Sequence, residues 1–237
     1  MGILSGLIDF FASPVRWISA GIRHDRFRCY PGQCHIFIGL PGSGKTLGAA
    51  CMISRSKQFY KRQIATEDAG LKGAQLLYPE TWESYKIRST LMLVDESALN
   101  GFFSRDSGSN FSQRQGKRNK LTALKLRRHL HNGIIITTQS LGDNDSVIRS
   151  MTSAVWLCSK VGKGLHLAQK CAIWYDFDSA GNYNIHVEKN SIFYMLTHPY
   201  SFKIYSVKRY KKYYNSFTIP SQYDALPDLP GDSQNAQ

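Results

Sequence analysis

Acidic residues are scarce in this chain. Seventeen Asp plus Glu stand against 30 Lys plus Arg in 237 residues, giving a formal net charge of +13 and a pI near 9.6. A surplus of that size predicts a polyanionic partner, such as nucleic acid or an anionic membrane surface. Cysteine pairing is missing too. The five cysteines, at 29, 34, 51, 158 and 171, are odd in number, contain no C-x-x-C, and lie away from His129 and His131, which excludes a structural zinc site and fits a reducing compartment. An uninterrupted apolar run of membrane-spanning length is also absent, as is a cationic start ahead of an apolar segment, so neither a transmembrane helix nor a signal peptide is expected. What remains is an ordinary globular balance, 42% hydrophobic and 20% charged, in a chain long enough for one α/β domain with small additions.

Against those absences one stretch stands out. Gly39-Leu40-Pro41-Gly42-Ser43-Gly44-Lys45-Thr46 satisfies G-x-x-x-x-G-K-[ST] in full. The apolar residues His35 to Ile38 before it read as a strand, and Leu47 onward reads as a helix start. A Gly-rich turn in that position leaves successive backbone N–H groups to converge on phosphate oxygens at the positive end of a helix. ATP with Mg²⁺ is therefore the expected cofactor pair, bound by residues 39–47, with Lys45 on the β- and γ-phosphates and the Thr46 hydroxyl on the metal.

Two further strands complete the reading. Leu91-Met92-Leu93-Val94-Asp95-Glu96 is a continuous apolar run, the pattern of a strand buried on both faces of a parallel sheet, and its carboxyl end is where α/β sheets place ligand chemistry. Asp95 is expected in the Mg²⁺ shell and Glu96 as the carboxylate that polarises the attacking water. Residues 133–140 form a second β-branched run that ends in Thr137-Thr138-Gln139-Ser140, and Gln139 is the candidate sensor of the γ-phosphate. Between the two lies a basic stretch. From 105 to 131 there are eight Lys or Arg and the single acid Asp106, a composition suited to tracking a DNA backbone by non-specific phosphate contacts or, equally, to a solvated loop.

Residues 1–28 stand apart. Leu4, Leu7, Ile8, Phe10 and Phe11, then Val15, Trp17, Ile18 and Ile22, make two short apolar faces broken at Pro14. They read as an interfacial amphipathic segment, with Trp17, Arg23, Arg26 and Arg28 at lipid headgroups, or as a helix capping the domain or packing on a neighbouring subunit. A helical segment is expected near residues 79–86. Later strands are expected at 153–158, 171–177, 183–187 and 201–207, the middle two joined across the turn 178–182. Residues 208–214, basic and Tyr-rich, read either as a nucleic-acid contact or as a strand end with a solvated face. The organisation is thus an N-terminal segment 1–28, a P-loop domain 29–215 and a flexible tail 216–237 rich in Pro, Asp, Ser and Gln.

With these motifs in this order, the chain resembles the FtsK/HerA superfamily of P-loop motors over residues 33–160. Two branches match. One is the genome-packaging ATPases of membrane-containing phages, in which a basic stretch leads into a strand ending near Gln, as Arg127-Arg128-His129 leads to Gln139. The other is the zonular occludens toxin family, which includes filamentous-phage assembly proteins. The resemblance implies a RecA-like fold with a mostly parallel central sheet flanked by helices, here with a C-terminal β-hairpin extension. It also implies a homo-oligomeric ring, often a hexamer, with ATP between subunits and a trans-acting arginine, for which Arg127, Arg128 and Arg149 are candidates that the sequence does not choose among. The implied activity is ATP hydrolysis coupled to DNA translocation, packaging a phage genome with capsid or membrane proteins as partners, in the cytoplasm of a bacterial host or in a virion. A membrane-associated assembly or extrusion ATPase is the alternative, and a small-molecule kinase, with 105–131 as a lid, a more distant one.

Overall fold

The computed structural model describes residues 27–60, 63–66, 71–76, 88–95, 125–144, 146–177, 183–191, 194–195, 198, 201–210 and 213–214. Within them a nine-stranded sheet runs in the order β3-β2-β4-β5-β1-β6-β7-β8, with β9 also paired to β7. The strands are β1 (Cys34–Ile38), β2 (Gln63–Thr66), β3 (Gln75–Leu76), β4 (Thr90–Val94), β5 (Gly133–Thr138), β6 (Ala154–Gly162), β7 (Leu165–Phe177), β8 (Tyr183–Glu188) and β9 (Phe202–Ser206). From β3 to β6 every pairing is parallel, and β7 to β9 are antiparallel additions. The fold is therefore the expected α/β sheet with a C-terminal hairpin extension.

The central strands earn their place by being apolar on both sides. β1, β4 and β5 are buried at every position. Their side chains alternate between two cores, as a period of two requires. Phe37, Leu91, Leu93 and Ile135 share one face with Ala49 to Ile53 of helix α1 (Lys45–Tyr60), while Ile36, Met92, Val94, Ile134 and Ile136 share the other with Leu141 and Ile148, the latter in the short helix α2 (Ser146–Ser150). A fully buried side chain of this size is worth about 1.5–3 kcal/mol of transfer free energy. Leu93→Ala would therefore cost about 2–5 kcal/mol, cavity included.

Phe27 is fully buried and packs edge-on against Trp156 at 4.9 Å and Phe37 at 6.1 Å, so residue 27 is part of the described core. The Cys29 N–H, donating to the buried Ser56 Oγ at 2.9 Å, ties the same segment to α1. The strands expected at 153–158 and 171–177 are the two ends of a longer hairpin, in which β6 and β7 pair from Val155↔Cys171 out to Gly162↔Leu165. Alternating Lys and small residues hid that extension. The Lys/Tyr-rich stretch begins as a short helix rather than a strand end, α3 (Val207–Tyr210), with Tyr210 buried against the α1 face and Lys208 and Arg209 exposed.

Residues 1–26, the helix expected at 79–86, Glu96, the basic loop up to residue 124, the turn 178–182 and the tail 216–237 lie outside the described residues.

Candidate active site

The phosphate-loop sequence lies where β1 ends and α1 begins. Its glycines are forced by geometry. Gly39, Gly42 and Gly44 have φ of +149°, +74° and +89°, values an L side chain rarely adopts. Gly39 and Gly44 also lack room. A Cβ on Gly39 would lie 2.7 Å from the Cys158 carbonyl oxygen, and one on Gly44 would lie 2.5 Å from the His166 ring. Gly42, with nothing within 4 Å, faces open space. The loop is thus pressed from behind by β6 and β7 and open in front.

The side chains expected at phosphate and metal gather here. Lys45 is 5% exposed and its Nζ donates to the Leu40 carbonyl at 3.4 Å, folding the ammonium over the loop. The Thr46 hydroxyl donates to Asp95 Oδ1 at 2.9 Å, across 49 residues of sequence. Because β5 lies between β1 and β4, the polar end of β5 stands directly between the loop and Asp95. In register, Ile38 faces Thr138 and Val94 faces Ile136. That places Thr137 next to Asp95, and its hydroxyl donates to Asp95 Oδ1. Tyr214, returning from the C-terminal segment, donates to Asp95 Oδ2 at 3.5 Å.

Gln139 is exposed one residue beyond β5. Its neighbours in sequence are held by a turn, with the Thr138 hydroxyl donating to the Ser140 carbonyl at 3.1 Å. The arginine candidates fall on different ground. Arg127 is buried with Nη2 donating to the Met151 carbonyl at 2.9 Å, and Arg149 is buried with Nη1 3.4 Å from the Gly142 carbonyl. Both are committed to the interior of their own chain. Arg128 is exposed, its stem over Gly32, at the end of the sheet where β1 and β5 start. The five residues of β1 separate it from this chain's own loop, about 16 Å of strand.

Solved structures similar to this chain include representatives of both expected branches. The N-terminal domain of zonular occludens toxin from Neisseria meningitidis is 19% identical, with 68% of this chain and 96% of that one covered at a TM-score of 0.46. The genome packaging NTPase B204 from Sulfolobus turreted icosahedral virus 2, in complex with sulfate, is 14% identical, with coverages of 68% and 98% and a TM-score of 0.43. The same NTPase in complex with ATP-gammaS is 11% identical, with coverages of 68% and 99% and a TM-score of 0.40. No protein-family model and no curated protein sequence matches the chain.

The residues present fit a magnesium nucleotide. Ser43 Oγ is buried in the loop and takes no hydrogen-bond partner among the described residues. The gathered donors beside it, Thr46 and Asp95, are oxygen ligands of the kind a hard divalent cation takes. Burial pushes the thiol of Cys158, whose carbonyl backs Gly39, up to about 12.

Three participants went unread in the sequence. Thr137 was visible as part of a Thr pair, but only the strand register shows which Thr faces Asp95. His166 and Tyr205 carry no local motif at all, and they reach the loop from β7 and β9.

Proposed function

We propose that the protein is an ATP-hydrolysing, DNA-translocating motor that packages a phage genome. The observation that carries the hydrolytic part is the hydrogen-bonded set of Thr46, Thr137 and Asp95 at the open mouth of the phosphate loop. ATP supplies the γ-phosphoryl group and Mg²⁺ neutralises its charge. The chain's own parts are for positioning: backbone N–H groups of residues 42–46 hold phosphate oxygens, Lys45 offsets their charge, Thr46 and Asp95 hold the metal, and Glu96 orients the attacking water. Thr137 fixes the Asp95 carboxylate in one rotamer, so that the metal ligand is oriented before the nucleotide arrives. Gln139, exposed one residue beyond β5, is the proposed sensor of the γ-phosphate, and the exposed Arg128 is the proposed arginine acting on a neighbouring subunit of a ring.

The DNA load rests on the +13 charge and the basic stretch at 105–131. The test is ATPase activity with and without double-stranded DNA across a salt series. A motor tracking phosphates loses its stimulation steeply as salt rises. Turnover indifferent to DNA at every salt concentration would overturn the load.

A second reading, a membrane-associated virion-assembly ATPase, is favoured by the apolar faces of residues 4–22. Flotation of the full chain with anionic liposomes, together with stronger stimulation by single-stranded than by double-stranded DNA, would favour it over packaging.

A further inference from the structure

The antiparallel extension reaches back to the phosphate loop at two carbonyls. His166 of β7 is 7% exposed, and its Nδ1 lies 2.7 Å from the Ser43 carbonyl oxygen. A carbonyl only accepts, so Nδ1 carries the hydrogen. Tyr205 of β9 is 2% exposed and its hydroxyl donates to the Gly44 carbonyl at 2.9 Å. The two rings stack, with centroids 5.8 Å apart and planes 15° apart, and the strands that carry them are paired at His166↔Tyr205. Burial, with Cys158 nearby, pushes the Tyr205 phenol well up, so it keeps its proton and remains a donor.

The consequence follows from peptide planarity. In a trans peptide the C=O of one residue and the N–H of the next point in opposite directions. Drawing the Ser43 carbonyl back onto His166 turns the Gly44 N–H forward, out of the loop. Drawing the Gly44 carbonyl onto Tyr205, which it shares with the first helical N–H from Gly48 at 2.8 Å, does the same for the Lys45 N–H. Gly44 is the residue that permits this, because any side chain there would displace the His166 ring.

We propose that His166 and Tyr205 form a clamp that orients the Gly44 and Lys45 N–H groups toward the phosphates of the bound nucleotide. They are positioning residues that act through the backbone without touching the ligand. The clamp rests on the phosphate loop's being the nucleotide site, and it gives the hairpin extension a task there.

The experiment measures ATP affinity by calorimetry, in Mg²⁺ buffer, for the wild type and for Lys45→Ala, His166→Ala, His166→Asn and Tyr205→Phe, with the melting temperature of each without nucleotide. Loss of one neutral hydrogen bond should weaken ATP binding by roughly tenfold in His166→Ala and in Tyr205→Phe. His166→Asn, whose amide N–H can stand where Nδ1–H stood, should stay within roughly threefold of the wild type. Packing alone would make the Asn variant as weak as the Ala variant, and that result overturns the donor role. If His166→Ala does not fold, Tyr205→Phe and His166→Asn still decide the matter. Loss of binding in Lys45→Ala with wild-type affinity in the folded clamp variants sinks the clamp alone. No ATP binding by the wild type, or binding untouched by Lys45→Ala, sinks the nucleotide reading and the clamp with it.

Discussion

β1 has a polar cluster at each end, and the two are built for opposite purposes. At its start, His35 lies 5% exposed beneath the sheet face, accepting from Trp156 Nε1 at Nδ1 over 3.0 Å and donating from Nε2 to Gln33 Oε1 over 2.9 Å. Both ring nitrogens are used and the tautomer is fixed. Just beyond its other end, Thr46, Thr137 and Tyr214 converge on the half-buried Asp95, opposite a loop that opens outward. The first cluster is closed, with both ring nitrogens of the buried His35 matched. The second collects more oxygen than it has hydrogen to share, beside an open cradle. A closed polar cluster holds a fold in one arrangement, whereas one at an open mouth is prepared to exchange its hydrogen bonds for a ligand.

Substitutions should separate the two ends cleanly. The largest effect is expected from Asp95→Asn, which should lower ATP turnover by about 10²–10³-fold with little change in melting temperature. A comparable loss is expected in Glu96→Gln, with ATP binding retained; turnover close to wild type would remove Glu96 from its role. At the closed end, Trp156→Phe strips His35 of its donor and should cost about 1–3 kcal/mol in denaturant unfolding, while ATP affinity in the folded protein stays unchanged.

Acid should act on the closed end as well. Burial, reinforced by the Lys170 charge, lowers His35 from 6.5 to about 3, so the folded protein holds it neutral where the unfolded chain binds a proton. That contribution to stability is complete above pH 6.5 and is lost as pH falls toward 3, at about 1.4 kcal/mol per pH unit. Unfolding curves between pH 4 and 7 would measure the slope, and a His35→Gln variant should flatten it. The smallest effect is expected at the open end from Thr137→Val, which keeps its shape but frees Asp95 from one hydroxyl. Turnover should fall several-fold, about 1 kcal/mol, with the melting temperature nearly constant. A large drop in stability instead would place Thr137 with the closed cluster and dissolve the contrast.

How much of this was legible depended on distance along the chain. β1, β4 and β5 announce themselves because a strand buried on both faces must be apolar at every position, and the phosphate loop because its glycines and lysine are adjacent. The β6–β7 hairpin was half visible, since its outer residues Ser159, Lys160, Val161 and Lys163 are exposed and follow no apolar rhythm. The packing of Phe27 was not legible, because one aromatic residue after a basic segment gives no local sign that it will pack on Trp156.

By itself, then, the sequence determined the individual buried strands, the phosphate loop and the carboxylate strand, each encoded in fewer than ten consecutive residues. Tertiary structure alone decided which Thr meets Asp95, which histidine lies sealed and which one backs the loop. His166 reaches Ser43 across 123 residues, Tyr205 reaches Gly44 across 161, and Trp156 reaches His35 across 121. Hydrogen bonds of that span depend on strand order and register, which are properties of the assembled sheet and leave no periodic trace in any one segment.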